Sequence, residues 1–244
     1  MPMVTTAEHR EGSDDELLLL FHAIATHDDA AIARLTSASD GATRGIRVGA
    51  SRNESETYFL GAIRHYVYAG DTAVHIAAAA HQQRSAALFI VMGADVRARN
   101  RHGAEPLHYA ADGSPGSPHW DPRAQRDVVA YLIEAGADPN ALDNGGVAPL
   151  HRAVRTRSSS AVSALINCGA DPRLKNKHGS SPLHLAVQNT GRSDSGSDAA
   201  KHEQRRIVSF LLEHGADATD IDAKGKTALA AATSGWIRDL LDNG

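Results

Sequence analysis

The sequence predicts an all-α fold: an elongated solenoid of about six stacked helix-turn-helix repeats, with β-turn fingers and degenerate repeats capping both ends. Three observations carry this. The tripeptide Gly-Ala-Asp begins at Gly93, Gly136, Gly169 and Gly215. An apolar residue precedes a histidine at Val74-His75, Leu107-His108, Leu150-His151 and Leu183-His184. The histidine steps are 33, 43 and 33 residues and the Gly-Ala-Asp steps are 43, 33 and 46, so one 33-residue period underlies both, lengthened by 10 in one repeat and by 13 in another. Third, only 5% of the 244 residues are aromatic while alanine is abundant, which favours closely packed small-residue helices over a β-sandwich.

In chain order, residues 1–15 are polar and are expected to form a disordered tail ahead of a single domain over 16–244. A capping repeat is expected over 16–39, with Ala23, Ile24, Ile32 and Leu35 at core spacing and His27-Asp28 at its bend. An insertion follows over 40–66, rich in Gly, Ser and Arg through its first half. It leads into Tyr58, Phe59, Tyr66 and Tyr68, a cluster that reads either as an extra packed helix or as an interaction edge. Four repeats come next, over 67–99, 100–142, 143–175 and 176–221, and a shortened capping repeat over 222–244.

Physical chemistry accounts for the repeated residues one by one. Gly70, Gly103, Gly146, Gly179 and Gly225 each precede a helix and supply the positive φ of a tight finger turn. Pro106, Pro149 and Pro182 fall at the first helical position, where a missing N–H costs nothing. Thr72, Ser181 and Thr227 are expected N-caps. Glu105 and Ala148 stand at the same position without a capping hydroxyl, so those two helix starts should be weaker by roughly 1 kcal/mol. Second helices then run through Val128, Val129, Leu132 and Ile133, or Ile207, Val208, Leu211 and Leu212, at helical spacing. Each ends at a glycine such as Gly136 or Gly215. No repeat can bury its apolar face alone, so the repeats must stack.

This pattern resembles the ankyrin repeat, a β-turn finger followed by two antiparallel helices, and the resemblance covers about nine-tenths of the chain. It implies that His75, His108, His151 and His184 hydrogen-bond between finger and helix and are structural. It also implies a protein-binding module with no catalytic residues, cofactor or metal.

The residues themselves offer little chemistry. One cysteine, Cys168, excludes an intramolecular disulfide framework and suits a reducing, cytoplasmic setting. The apolar run Leu17–Phe21 is too short for a signal-peptide core or a membrane span. His202-Glu203 begins a zincin-like pattern, but Arg206 occupies the second ligand position. His119, Trp120 and Asp121 lack an obvious further metal ligand. Gly225-Lys226-Thr227 looks like the tail of a phosphate loop, yet Asp220 stands where that loop needs glycine. Asp217, Asp220 and Asp222 have neither the spacing nor the closing glutamate of a calcium loop.

What remains is surface. In ankyrin proteins the partner meets the finger tips and the exposed side of the inner helices. By phase these positions include Tyr68 and Asp71, Arg101 and His102, Asn144 and Val147, Lys177 and His178, and Lys224 and Lys226. At the inner-helix ends they include Asp112, Arg155 and Gln188. Five cations there face only Asp71 and Asp112, a local excess of about +3 on a chain of net charge −4. Arg97, Arg99, Arg152, Arg157, Arg173 and Lys175 are expected to deepen it. The plainer alternative is that these cations only keep the fingers solvated. Trp120, in the Pro-rich insertion Gly113–Pro122, is either a binding anchor or folds back over the helix ends. A second insertion, Thr190–His202, has linker composition.

The function expected is therefore non-catalytic binding of another protein, with an acidic surface, through a basic concave face. The alternative is a regulatory or substrate-presenting subunit of an enzyme complex. Nucleic acid is disfavoured because aromatics do not interleave the basic row. No membrane partner is expected, and the chain is expected to be a monomer.

Overall fold

The computed structural model describes residues 13–38, 40–49, 56–115, 120–188 and 196–242. Six antiparallel helix pairs stack side by side among them: α1 (Asp14–Ala25) with α2 (Asp29–Ala38), α3 (Ala73–Ala79) with α4 (Gln83–Val91), and α5 (Pro106–Ala111) with α6 (Pro122–Glu134). α7 (Pro149–Arg155) with α8 (Ser159–Asn167), α9 (Pro182–Ala186) with α10 (Asp198–Glu213), and α11 (Ala228–Ala231) with α12 (Gly235–Asp242) complete the stack. The odd-numbered inner helices pack on one another in order, and the even-numbered outer helices cover them from behind. This is the mostly helical solenoid that the repeats predict.

Small residues let the inner helices approach. Ala77, Ala78, Ala110, Ala111 and Ala153 are fully buried. Leu107, Leu132, Leu150, Leu165, Leu183 and Leu211 fill the space between the layers. One apolar core runs the length of the molecule, from Leu17 to Leu241.

Two boundaries differ from expectation. α1 begins at Asp14, inside the segment expected to be tail. The Ser13 hydroxyl caps it by accepting the Glu16 N–H at 3.2 Å, and Asp14 is held by Arg44 at 2.8 Å. α10 begins at Asp198 with Ser197 as its N-cap, so the second insertion is shorter than its linker-like composition suggests. Residues 1–12 and 189–195, to which the tail and linker expectations also apply, lie outside the described residues.

The inserted aromatics do not form a helix; Phe59 and Tyr66 stay exposed on a small hairpin. β1 (Phe59–Leu60) and β2 (His65–Tyr66) make an antiparallel hairpin pairing Phe59 with Tyr66 and Leu60 with His65. Leu60 and Val67 anchor it in the core. Ile46 ties the same insertion to the first finger: its N–H donates to Asp71 O at 2.8 Å, and its carbonyl accepts Gly70 N–H at 2.7 Å.

The fingers join one another through single backbone bonds. Arg101 N–H donates to Ala69 O at 2.8 Å, Asn144 N–H to His102 O at 2.9 Å, and Ala223 N–H to His178 O at 3.0 Å. Close approach makes the glycines necessary. Gly146 has φ +68°, and a Cβ there would lie 2.9 Å from Lys177 N on the next finger.

The repeated histidines bind neighbouring repeats. In His75, His108, His151 and His184, Nδ1 accepts the N–H of the residue three positions earlier at 3.1, 3.1, 3.2 and 3.3 Å. That fixes the proton on Nε2, which donates to the next finger at Ala104 O, Val147 O, Ser180 O and Lys226 O, at 3.0–3.2 Å. Both nitrogens are used only while the ring is neutral. At Glu105 and Ala148, where no side-chain cap forms, the imidazole is the partner of the first amide.

Burial keeps three of these rings neutral. Desolvation lowers His75 and His108 to about 4, and lowers His151 as well. The unfolded chain, with histidines near 6.5, binds more protons between pH 6.5 and 4. This contribution to stability is therefore complete above pH 6.5 and is lost as pH falls through that window. Asp71, raised to about 7 by burial, works oppositely: its contribution is complete below about 3.8 and declines as pH rises towards 7. Burial likewise raises Glu105 and Asp112 and lowers His65 and His81, so among the described residues five histidines stand against three carboxylates. Urea melts should show a midpoint that falls from pH 7 to pH 5; a flat or rising midpoint would contradict the neutral-ring assignment.

Candidate protein-binding face

Four of the five fingers are each wound around a side chain that sequence phase did not single out. Asn100 Oδ1 accepts the amides of His102 and Ala104, and Asp143 Oδ1 those of Gly145 and Val147, at 2.8–3.1 Å. Asn176 and Asp222 repeat the arrangement for His178 and Ser180, and for Lys224 and Lys226. An Asn or Asp three residues before the finger glycine was the available signal. Its side chain mimics a backbone turn, which pins the finger and leaves the next residues pointing outward.

At the tips, Arg101, His102, Asn144, Lys177, His178, Lys224 and Lys226 are exposed, as are Arg155 and Gln188 at the inner-helix ends. Tyr68 and Val147 are half-buried. The Tyr68 ring carries the Arg101 guanidinium at 5.2 Å and meets the His102 ring edge-on at 4.7 Å. Trp120 is half-buried and turned back onto its own repeat, its indole N–H donating to Gln125 Oε1 at 3.0 Å. Gln125 in turn donates to Ala110 O and Ala111 O, capping the end of α5. His119 lies outside the described residues.

Asp71 is a correction. It has no exposed surface, because its carboxylate turns under the finger to accept from Tyr68 N–H, Asn100 Nδ2 and the Tyr109 hydroxyl at 2.7, 2.8 and 3.0 Å. It cannot meet a partner. Burial outweighs those three donors and raises it to about 7.

The flanking arginines are a second correction, since they do not add free charge to the face. Arg152 is mostly buried and bridges Asp112 and Asp143 at 3.1 Å each. Asp112 is half-buried and also lies 3.8 Å from Arg155. Arg97 and Arg99 both pair with the buried Glu105 at 3.7 Å, and Arg97 also reaches Asp138. Arg173 is bidentate to Asp220 at 3.0 and 2.6 Å, and Lys175 Nζ donates to Ile221 O. Most of these bonds cross from one repeat to the next, so the cations act as struts. The tip lysines Lys177, Lys224 and Lys226, by contrast, have no ion pair among the described residues.

Among the described residues no group of three or more His, Cys, Asp or Glu could hold a metal, and no helix is long and apolar enough to cross a membrane. Stacked repeats thus present exposed finger tips and inner-helix ends on one face. Residues 122–195 match the family model for three copies of the ankyrin repeat, and residues 178–226 match that for a single ankyrin repeat. Residues 122–226 of the chain are thus ankyrin repeats. Such repeats are protein–protein interaction modules and are generally non-catalytic. Over 82 residues, 34% of this chain, it is 37% identical to Ankyrin repeat and SOCS box protein 16 of Mus musculus, of which the match covers 18%. Over 85 residues, 35% of this chain, it is 38% identical to the E3 ubiquitin-protein ligase KEG of Arabidopsis thaliana, of which it covers 5%. The matched stretch is thus less than a fifth of either relative.

The Arg152 bridge yields an expected outcome. Arg152→Met leaves two carboxylates facing each other with no cation between them, and should cost about 3–5 kcal/mol in urea melts. A loss under 1 kcal/mol would show that the bridge does not hold α5 to α7.

Proposed function

We propose that the chain is a non-catalytic binding module (an adaptor, scaffold or inhibitor) that takes another protein, presenting an acidic surface, on its concave face. The observation that supports this is the division of the cations. Those at the finger bases are neutralised by carboxylates of neighbouring repeats, whereas Lys177, Lys224 and Lys226 at the tips carry no counter-ion among the described residues. With Arg101 and Arg155 they form a row along the fingers that is basic on a chain of net charge −4. Such a row favours encounter with an acidic partner and disfavours basic ones. The reading places the module in the cytoplasm as a monomer.

A second reading is supported by the relative named as an E3 ubiquitin-protein ligase. In that case the repeats would present a bound protein to an enzyme, as a regulatory or substrate-presenting part of a complex. Capture of a partner followed by mass spectrometry separates the two: modification of the captured protein by a co-purified enzyme supports presentation, and a stable unmodified pair supports the adaptor.

Charge reversal tests the face itself. Arg155→Glu with Lys177→Glu should weaken capture of the partner at least ten-fold without lowering the melting temperature, chiefly through the association rate and less at high salt. Glu213→Lys on the outer face is the control. Binding that survives the double reversal but collapses in Trp120→Ala would move the interface to the inserted edge.

A further inference from the structure

The inserted hairpin closes one end of the groove. His65 on β2 lies against Tyr109 of α5, ring edge to ring face at 4.3 Å, and behind it opens a cavity of about 570 Å³. Tyr68 and His65 wall one side, Tyr109, Asp112 and Arg152 form the floor, and Arg155 and Lys177 line the cavity from the later repeats.

Three residues lining this cavity each hold a buried polar atom with no hydrogen-bond partner: His65 Nε2, Arg152 Nε and Asp112 Oδ1, the last with only the Arg155 guanidinium 3.8 Å away. Four other such atoms among the described residues, at Arg44, Glu105, Gln204 and Trp236, lie singly outside it. Arg152 uses its two terminal nitrogens on Asp112 and Asp143, and Asn100 and Asp143 satisfy whole fingers. Buried polar atoms without partners are costly to keep, so a cluster of them lining one cavity marks a place where a ligand completes the bonding.

The orphan set is a fixed donor, a fixed acceptor and an imidazole nitrogen. The lining charges are Arg152, Arg155 and Lys177 against Asp112 and Asp143, three cations to two carboxylates, which leaves one positive charge. A second cation entering this partly enclosed space would be repelled, and a neutral amide would leave the charge unbalanced. One carboxylate neutralises it. Asp112 Oδ1 needs an N–H close to that anion, which a peptide backbone supplies and a nucleic-acid phosphate does not.

We propose that the cavity behind the hairpin is a subsite for one acidic side chain of an extended partner peptide, with the carboxylate directed to Arg152 and Arg155 and a neighbouring peptide N–H to Asp112. This rests on the reading of the concave face as the site of an acidic partner, and it names where on that face specificity resides. His65, which adds nothing to the basic row, becomes a specificity-determining wall.

The test is amide-resolved NMR of the full chain titrated with acetyl-Ala-Glu-Ala-amide, its Gln counterpart and inorganic phosphate. The Glu peptide should give saturable shifts clustered at His65, Tyr68, Asp112 and Arg155. Those shifts should weaken at least five-fold with the Gln peptide, and at least five-fold in His65→Ala and in Arg155→Gln. His65→Ala leaves every formal charge of the row in place, and Arg155→Gln alters an exposed side chain, so one of the pair reports even if the other perturbs folding. The cavity proposal is overturned by shifts spread evenly over Lys177, Lys224 and Lys226, by full retention in His65→Ala, by equal response to phosphate, or by no response. The face as a whole is judged separately, by the charge reversals on the captured partner.

Discussion

A neutral imidazole bridging two repeats is the interaction on which the rest of this molecule depends. Each of four histidines accepts at Nδ1 from the amide that opens its own helix and donates at Nε2 to a carbonyl of the following finger. One side chain thus sets the start of an inner helix and the distance to the next repeat. Fingers and helices cannot shift independently while both bonds hold. The alanines that bring the inner helices together, and the glycines that bring the fingers together, are consequences of the same spacing. Because each repeat is completed by its neighbour, the stability of the stack is a sum over interfaces.

The same logic governs the charges. A stack of thin repeats has a large surface and little interior, so cross-repeat contacts at the rim matter to its rigidity. Arg97, Arg99, Arg152 and Arg173 each reach a carboxylate, most of them on a later repeat. Guanidinium groups suit this work because a planar fork can hold two acceptors. Lysines stand at the tips, where a single hydrated charge on a flexible stem costs little to expose. The electrostatic character of the binding face is therefore set by what the struts leave over.

Much of the fold was legible in the sequence because its devices recur in phase. The histidine, the helix-opening proline and the finger glycine answer to local backbone rules that hold through the central repeats. The site was less legible, for a physical reason. Whether a charged side chain is free or bridged depends on what a neighbouring repeat places opposite it, in several cases 29 to 47 residues away. Asp71 reads as a finger residue by phase, yet Asn100 and Tyr109 from the following repeat draw it into the core. Arg152 reads as exposed until Asp112 and Asp143 are seen to flank it. The hairpin could not be foreseen either, since its strands are two residues long and only Leu60 and Val67 of its segment are fully buried apolar residues. The finger-winding Asn and Asp residues did carry a periodic signal and could have been found.

The central claim is that four neutral rings with the proton on Nε2 tie the repeats together. Long-range ¹H–¹⁵N correlation spectra of the histidine rings at pH 7 read the tautomer directly. The account predicts that His75, His108, His151 and His184 all appear as the Nε2–H form, with slowly exchanging ring protons that survive while the stack is folded. Rings found as the Nδ1–H tautomer, as imidazolium, or as a freely exchanging mixture would contradict it.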